Sequence, residues 1–299
     1  MSAPSESAAG RVLIAGYGYI GSELGLLLAQ AGWRVWALRR GAVEPQHSSI
    51  HPLQANLLEP SQLGELPAVD AVVYLISADR FDEEAYLRAY RDAAINLHSA
   101  LEACGQRPPW LYASSTGVYG TQDGSWVDED SAPAPTSTTG RALLRAEEAI
   151  SRRVERLSIV RFGGLYGPGR TRLIDQVRRG EGFCVEGPPR YTNRLHRRDA
   201  AGFLAHLLTL EESRRQPLYL GVDEEPADRC EVLRFLADAL GVDAPAHRVA
   251  QEPAPRGNKR CRNRRLVGSG FRYRYPSFRQ GYSELIAAMQ AEASAAEPS

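Results

Sequence analysis

The sequence carries no excess charge of either sign: 36 Lys and Arg stand against 36 Asp and Glu in 299 residues. A neutral chain gives no long-range electrostatic reason to expect nucleic acid or an anionic membrane surface as a partner. Cysteine is scarce. Its four copies, Cys104, Cys184, Cys230 and Cys261, lack metal-ligand spacing, and they read as reduced, incidental thiols of a cytoplasmic protein rather than as a disulfide framework or a zinc site. No apolar stretch approaches the length that crosses a bilayer. Residues 1–10 have neither a basic start nor an apolar centre, so they read as a disordered tail and not as a signal peptide.

Against these absences stands one dense signal. An apolar run, Val12-Leu13-Ile14-Ala15, meets Gly16-Tyr17-Gly18-Tyr19-Ile20-Gly21, and an amphipathic helix follows over residues 20–31. Gly16, Gly18 and Gly21 have the spacing that permits a tight turn, close backbone approach to a pyrophosphate, and close packing of helix on strand. The helix start directs its unpaired N–H groups and the positive end of its dipole at such an anion. The whole stretch from Gly16 to Gly21, Tyr17, Tyr19 and Ile20 included, reads as a dinucleotide site.

A second strand over residues 35–38 ends on Arg39 and Arg40, with no acid before Glu44. An NAD site would place a carboxylate there for the ribose hydroxyls, whereas two guanidiniums match a 2'-phosphate. The expected cofactor is NADP in preference to NAD. Asn56 and Leu57, after a third strand at 50–55, are placed to meet the adenine, and Ser77 follows a fourth strand at 70–76.

Strands and helices then alternate as a doubly wound parallel sheet requires, which gives an α/β, Rossmann-type fold. A helix over residues 82–103 carries Tyr86, Tyr90, Ala93, Leu97 and Leu101 at helical spacing, a core-facing stripe. A fifth strand, 110–114, runs into Ser115-Thr116-Gly117-Val118-Tyr119-Gly120. A sixth, 157–162, runs into Gly163-Gly164-Leu165-Tyr166. Ligands of such sheets sit beyond the carboxyl ends of the strands, so these termini are where chemistry is expected. The expected organisation is a tail at 1–10, a dinucleotide-binding domain at 11–165, a smaller substrate lobe at 166–290 partly interleaved with the sheet, and a second disordered tail at 291–299.

Four blocks together resemble the extended short-chain dehydrogenase/reductases of the NAD-dependent epimerase/dehydratase kind. They are the glycine turn, Ser114 to Gly120, Arg161 to Arg170, and Asn193-Arg194-Leu195-His196-Arg197-Arg198-Asp199, and the resemblance runs from about residue 11 to 288. It implies hydride exchange with a nicotinamide, driven by a Ser or Thr, a Tyr and a Lys. It places Ser115, with Thr116 beside it, in the hydroxyl role, and Gly163 and Gly164 near the cofactor.

The Tyr and Lys are absent. Aligning Gly140 and Glu147 with the family pattern puts Thr139 in the place of the Tyr and Leu143 in that of the Lys. An aliphatic alcohol is too weak an acid to replace a tuned phenol, and Leu carries no charge to tune one. Ser137 or Thr138 reads as a helix cap and Glu147 as part of a solvated face. Ala15 also replaces the first glycine of the longer family turn, so the resemblance is to atypical members. Tyr119, Tyr166, His196 or a water relay anchored by Ser115 remain as proton donors, His196 having the best intrinsic pKa.

From Arg256 to Arg279 nine basic residues occur with no acid. This run reads as a solvated or ion-paired face first, an anionic small-substrate contact second, and a nucleic-acid surface last. Two functions fit: an NADP-dependent oxidoreductase or epimerase on an anionic or sugar-like carbonyl or hydroxyl compound with a non-standard proton donor, which is preferred, or a non-catalytic NADPH/NADP-sensing protein. The resemblance also allows a homodimer.

Overall fold

The computed structural model describes residues 9–249 and 257–296. The chain divides into two compact units. The first comprises the residues up to Val118, Pro135–Arg161 and Ala200–Tyr219; the second comprises Tyr119–Ala134, Phe162–Asp199 and the residues from Leu220 onward.

The first unit is built on a seven-stranded sheet. Its strands β1 (Arg11–Ala15), β2 (Arg34–Arg39), β3 (Ile50–Gln54), β4 (Ala71–Tyr74) and β5 (Trp110–Ser115) are followed by Leu157–Phe162 and Leu218–Gly221. In space the order is β3-β2-β1-β4-β5, then Leu157–Phe162, then Leu218–Gly221. The order reverses direction beside β1, which is the switch point where such sheets leave a crevice for ligands. The β1–β2, β1–β4, β2–β3 and β4–β5 pairings are parallel. Burial on both faces explains why β1 and β4 read as unbroken apolar runs.

Four helices of this unit, α1 (Tyr19–Gln30), α2 (Glu83–Tyr86), α3 (Ala93–Ala103) and α4 (Thr138–Ser151), bear on the site. Between α2 and α3 the chain winds as a π-helix, Leu87–Asp92. The expected single stripe over 82–103 is therefore broken. Ala93, Leu97 and Leu101 are buried, whereas Tyr86 and Tyr90 are half-buried, because the wider turn rotates them off the line. Phenols from the sheet bond to carbonyls of this segment: Tyr74 donates to the Ala89 carbonyl and Tyr112 donates to that of Tyr90 at 2.7 Å. The rings of Tyr74 and Tyr112 stack at 5.3 Å, and burial pushes both phenols well above their ordinary pKa.

The second unit packs short strand pairs and helices around Tyr166, Ile174, Leu233, Leu236, Phe278 and Tyr282. Gly164–Tyr166 pairs with Arg194–His196, and Phe183–Val185 pairs with Ala246–Arg248, both parallel. The helices include Arg172–Arg178, Arg229–Leu240 and Phe278–Ala296.

The two units are each made of several stretches of the chain. Residues 119–134 leave the first unit early, and 200–219 return to it with a helix and the start of the edge strand. Both expected tails are shorter. Ala9 N–H donates to the Gly32 carbonyl at 3.0 Å, and the last helix continues to Ala296. Ala291, Ala293, Ala295 and Ala296 carry the strongest helix propensity, which accounts for the extension. Residues 1–8 and 297–299 of the two expected tails lie outside the described residues.

The cysteines also differ from expectation. Cys184 and Cys230 are joined as a disulfide with 5.0 Å between their Cα atoms, a pairing that a sequence separation of 46 hides from the sequence. Cys104 and Cys261 are free.

Candidate functional site

The three glycines after β1 answer to different constraints. Gly16 has φ +98°, and a Cβ there would stand 2.7 Å from the backbone of Leu75 and Ile76 at the end of β4. A Cβ on Gly21 would stand 2.6 Å from the Gly16 carbonyl oxygen. Both are demanded by the fold itself. Gly18 is exposed with φ −122°, and a Cβ there would meet only the Gly16 carbonyl, at 4.0 Å. The protein leaves the space above Gly18 open.

Gly16 and Tyr17 give their N–H groups to the Leu38 carbonyl, both at 3.0 Å, which ties the turn to the end of β2. Tyr19, Ile20 and Gly21 open α1, where first-turn N–H groups have no intrahelical acceptor. No acidic residue lies in that turn. An anion at this helix start gains from both the N–H groups and the helix dipole. Tyr17 turns the other way: its ring covers Gly25 of α1, and it is 6% exposed, so its side chain belongs to the packing of the helix.

Arg39 and Arg40 are both exposed, and neither guanidinium has a carboxylate partner among the described residues. Gln54 Nε2 donates to the Arg40 carbonyl at 3.0 Å, fixing the backbone beneath the pair. The residues present thus fit a dinucleotide: an open glycine, a helix start without an acidic residue, and two cations without a carboxylate partner among the described residues at the end of the neighbouring strand.

Asn56 and Leu57 have local duties. The Asn56 amide donates to Glu59 at 2.7 Å and accepts from Leu58 N–H at 3.2 Å, while its own N–H donates to Gln62 at 2.8 Å. This side chain closes its own turn. Leu57 is buried, and its carbonyl accepts from Asn96 at 2.8 Å. Ser77 is exposed just beyond β4.

Ser115 ends β5 half-buried. Its Oγ accepts from Gly117 N–H at 3.1 Å, which leaves the hydroxyl proton available to a substrate oxygen. Thr116 beside it is 7% exposed. Helix α4 passes close to this strand end, since a Cβ on Gly140 would stand 2.7 Å from the Gly117 carbonyl. Ser137 caps α4, accepting from Gly140 N–H at 3.0 Å. Thr139 is half-buried and Leu143 is 3% exposed.

Glu147 overturns its expected place on a solvated face. It is 3% exposed and holds Arg161 through bonds of 2.6, 3.0 and 3.2 Å, while accepting from Ser114 Oγ at 2.5 Å. Spacing could have revealed it, because Gly140, Leu143, Glu147 and Ile150 form one buried face of α4. A charge on an apolar stripe is a charge that has a partner.

In the second unit the candidate proton donors are committed or shifted. Tyr119 is 2% exposed and donates to the Asp128 carbonyl at 3.0 Å. Burial drives the Tyr166 phenol well above its ordinary pKa, and its ring lies 4.4 Å from that of Tyr282. His196 is 3% exposed, and its Nδ1 accepts from Arg198 N–H at 3.2 Å. Burial lowers it to about 4, so the imidazole is neutral at pH 7 rather than poised near neutrality. Gly163 and Gly164 serve close backbone packing: Gly163 N–H donates to the Gly221 carbonyl at 3.0 Å and Gly164 N–H to that of Asn193 at 2.9 Å.

The block 193–199 grips the basic segment. Asn193 donates to the Lys259 carbonyl at 3.0 Å and accepts from Cys261 N–H at 2.7 Å. Asp199 accepts from Arg274 and Tyr275 N–H at 2.8 and 2.9 Å. The segment itself is ion-paired in part, Arg264 with Asp128, Arg265 with Asp130, Arg274 with Glu284, and Arg279 with Glu225 and Glu231. Arg256 lies outside the described residues. Lys259 was hidden in this run: it is 7% exposed, and burial lowers its pKa from the ordinary lysine value.

Residues 12–202 match the NAD dependent epimerase/dehydratase family. A structure from Methylobacillus flagellatus, described as an NAD-dependent epimerase/dehydratase, is 34% identical with a TM-score of 0.77, covering 94% of this chain and 99% of its own. A 3-diazoavenalumate denitrifying reductase from Streptomyces is 30% identical over 79% of this chain and 83% of its own length. Protein YeeZ of Escherichia coli K12 is 27% identical over 89% of this chain and 96% of its own.

Proposed function

The chain belongs to the NAD dependent epimerase/dehydratase family, and from that premise we propose that it is an NADP-dependent oxidoreductase or epimerase acting on a carbonyl or hydroxyl carbon of an anionic or sugar-like compound. The observation that carries this reading is the open position of Gly18 at the start of α1, in a first turn without an acidic residue. Gly16 and Gly21 are explained by the fold, whereas a glycine at 18 is explained by a pyrophosphate that needs the backbone within reach.

Arg39 and Arg40 favour the 2'-phosphate form, since an exposed guanidinium without a carboxylate partner is free to take phosphate oxygens bidentately. A bound nicotinamide supplies the hydride donor or acceptor. Ser115 supplies the hydrogen bond that orients the substrate oxygen, using the proton left free by its acceptance from Gly117 N–H. Neither Thr139 nor Leu143 handles a proton, so the donor lies elsewhere in the protein or in water held by Ser115. The reductase name of the Streptomyces relative is compatible with net hydride transfer to a substrate.

A second reading, a non-catalytic NADPH/NADP sensor, is favoured by Leu143. It is 3% exposed in the position of the family cation, so that position has become core. Transfer of label from deuterated NADPH to a pooled metabolite extract, beside titration with NADPH and NADH, separates the readings. Label in a small molecule supports the enzyme and identifies its substrate. Tight NADPH binding without label supports the sensor, and binding of neither nucleotide overturns both.

A further inference from the structure

Three segments of the second unit bring a soft-ligand cluster together. His247 stands opposite Cys184 in the parallel pairing of Ala246–Arg248 with Phe183–Val185. Cys230 is the second residue of the twelve-residue helix Arg229–Leu240. Both sulfurs and one His247 imidazole nitrogen lie within 4.8 Å of one another, with Cys184 buried, Cys230 half-buried and His247 exposed. The two sulfurs are bonded as a disulfide.

We propose that Cys184, Cys230 and His247 form a redox-gated metal site, which binds a thiophilic divalent cation such as Zn2+ as the dithiol and is closed as the disulfide. Two thiolates and an imidazole are a zinc donor set, with ligand distances of about 2.3 Å for sulfur and about 2.0 Å for nitrogen. Ligands at those distances around a tetrahedral ion lie about 3.5–3.8 Å apart, so the bonded sulfurs must part and the imidazole must come within that distance of both. The ladder between the two short strands and the start of the helix hold the three residues in place for either state. The exposed side of His247 leaves the fourth position to water.

Cys230 sits in the first turn of the helix Arg229–Leu240, and arginines lie beside the pair. The Arg248 guanidinium lies 4.6 Å from the Phe183 ring centre, and Arg229 lies over the same ring at 5.8 Å. Arg229 also donates to the Phe183 carbonyl at 2.9 Å, which anchors a cation beside the pair. One group competes with the metal: exposed Arg234 donates to His247 Nε2 at 3.3 Å. It must swing into solvent when the imidazole turns to an ion.

The redox step balances with an external dithiol as reductant. Its two thiols become a disulfide, while the Cys184–Cys230 bond breaks to two thiols, and metal binding then releases both thiol protons to solvent.

The test uses full-length protein carrying Cys104→Ser, titrated with Zn2+ against a chromogenic chelator in the reduced and oxidised states. One zinc per reduced chain and none per oxidised chain is the expected result. His247→Ala should weaken binding by about tenfold or more, and Arg234→Ala should tighten it. Co2+ should show a thiolate-to-metal absorption band that Cys230→Ser abolishes. His247 and Arg234 are exposed, so their variants keep the test valid if a buried Cys184 replacement fails to fold. Zinc binding by the reduced chain no tighter than that of Cys230→Ser, or binding indifferent to His247→Ala, overturns the proposal.

Discussion

Arg39 and Arg40 carry cofactor choice at the scale of single side chains. Charge-assisted hydrogen bonds contribute about 1.5–3 kcal/mol each. Replacing both with Ala should therefore weaken NADPH binding by about a hundredfold or more while leaving NADH binding within a few fold. Calorimetric titration of the two nucleotides on wild type and variant reads this directly, and equal losses would remove the 2'-phosphate assignment. His196 makes a different single-residue statement, about protons. In the unfolded chain its imidazole protonates near 6.5, but in the folded chain only near about 4. Between those values the unfolded chain binds more protons, so this residue's contribution is whole above pH 6.5 and is lost as pH falls toward 4. Urea unfolding at pH 7 and pH 5 should show wild type losing more stability on acidification than His196→Asn. Equal loss would mean that the ring is not held neutral by burial. This residue also marks a limit of reading sequence: the intrinsic pKa of histidine is legible in it, but the ring contacts with Tyr166 and Tyr275 that desolvate it are not.

The turn between β1 and α1 behaves as an element, and its glycines can be separated by substitution. Gly16→Ala places a side chain at φ +98° against the end of β4, and such backbone strain costs about 1–3 kcal/mol. Gly18→Ala has room, so its stability should stay within about 0.5 kcal/mol of wild type. Its nucleotide affinity should nevertheless collapse, because the added methyl occupies the approach of the pyrophosphate. Thermal melts with and without NADPH check both arms, and a Gly18→Ala protein that binds normally would contradict the site. This element was legible because three constraints converge on one short stretch. Helix α4 was less so. Its cap at Ser137 and its span follow from local signals, but the Glu147–Arg161–Ser114 cluster joins three elements distant in sequence, and only the placement of Glu147 on an apolar stripe hinted at it. The π-helix at Leu87–Asp92 left no trace in a periodic pattern, since the carbonyls it presents are met by Tyr74 and Tyr112 from the sheet.

Across the whole chain, the doubly wound parallel sheet was readable from the alternation of apolar runs and helical stretches, because a parallel strand must be followed by a crossover before the next; the strand order comes only from the structure. A second lobe partly interleaved with the sheet was expected, but the crossing points were not legible: the chain passes between the units at residues 118–119, 134–135, 161–162, 199–200 and 219–220. Such interleaving lets a ligand on one unit and a redox change on the other be read in the same molecule. Hydrogen exchange followed by mass spectrometry should show NADPH protecting the turn after β1, the start of α1 and the end of β2, all within the first unit. Reduction of the disulfide should instead deprotect Phe183–Val185, the start of Arg229–Leu240 and Ala246–Arg248, and Zn2+ should restore that protection without NADPH. Amides open locally in contiguous cooperative groups, so each ligand should leave its own footprint. A single uniform footprint for both treatments would mean that the two sites report one global equilibrium, and the dinucleotide turn and the cysteine cluster would then have to be treated as thermodynamically linked.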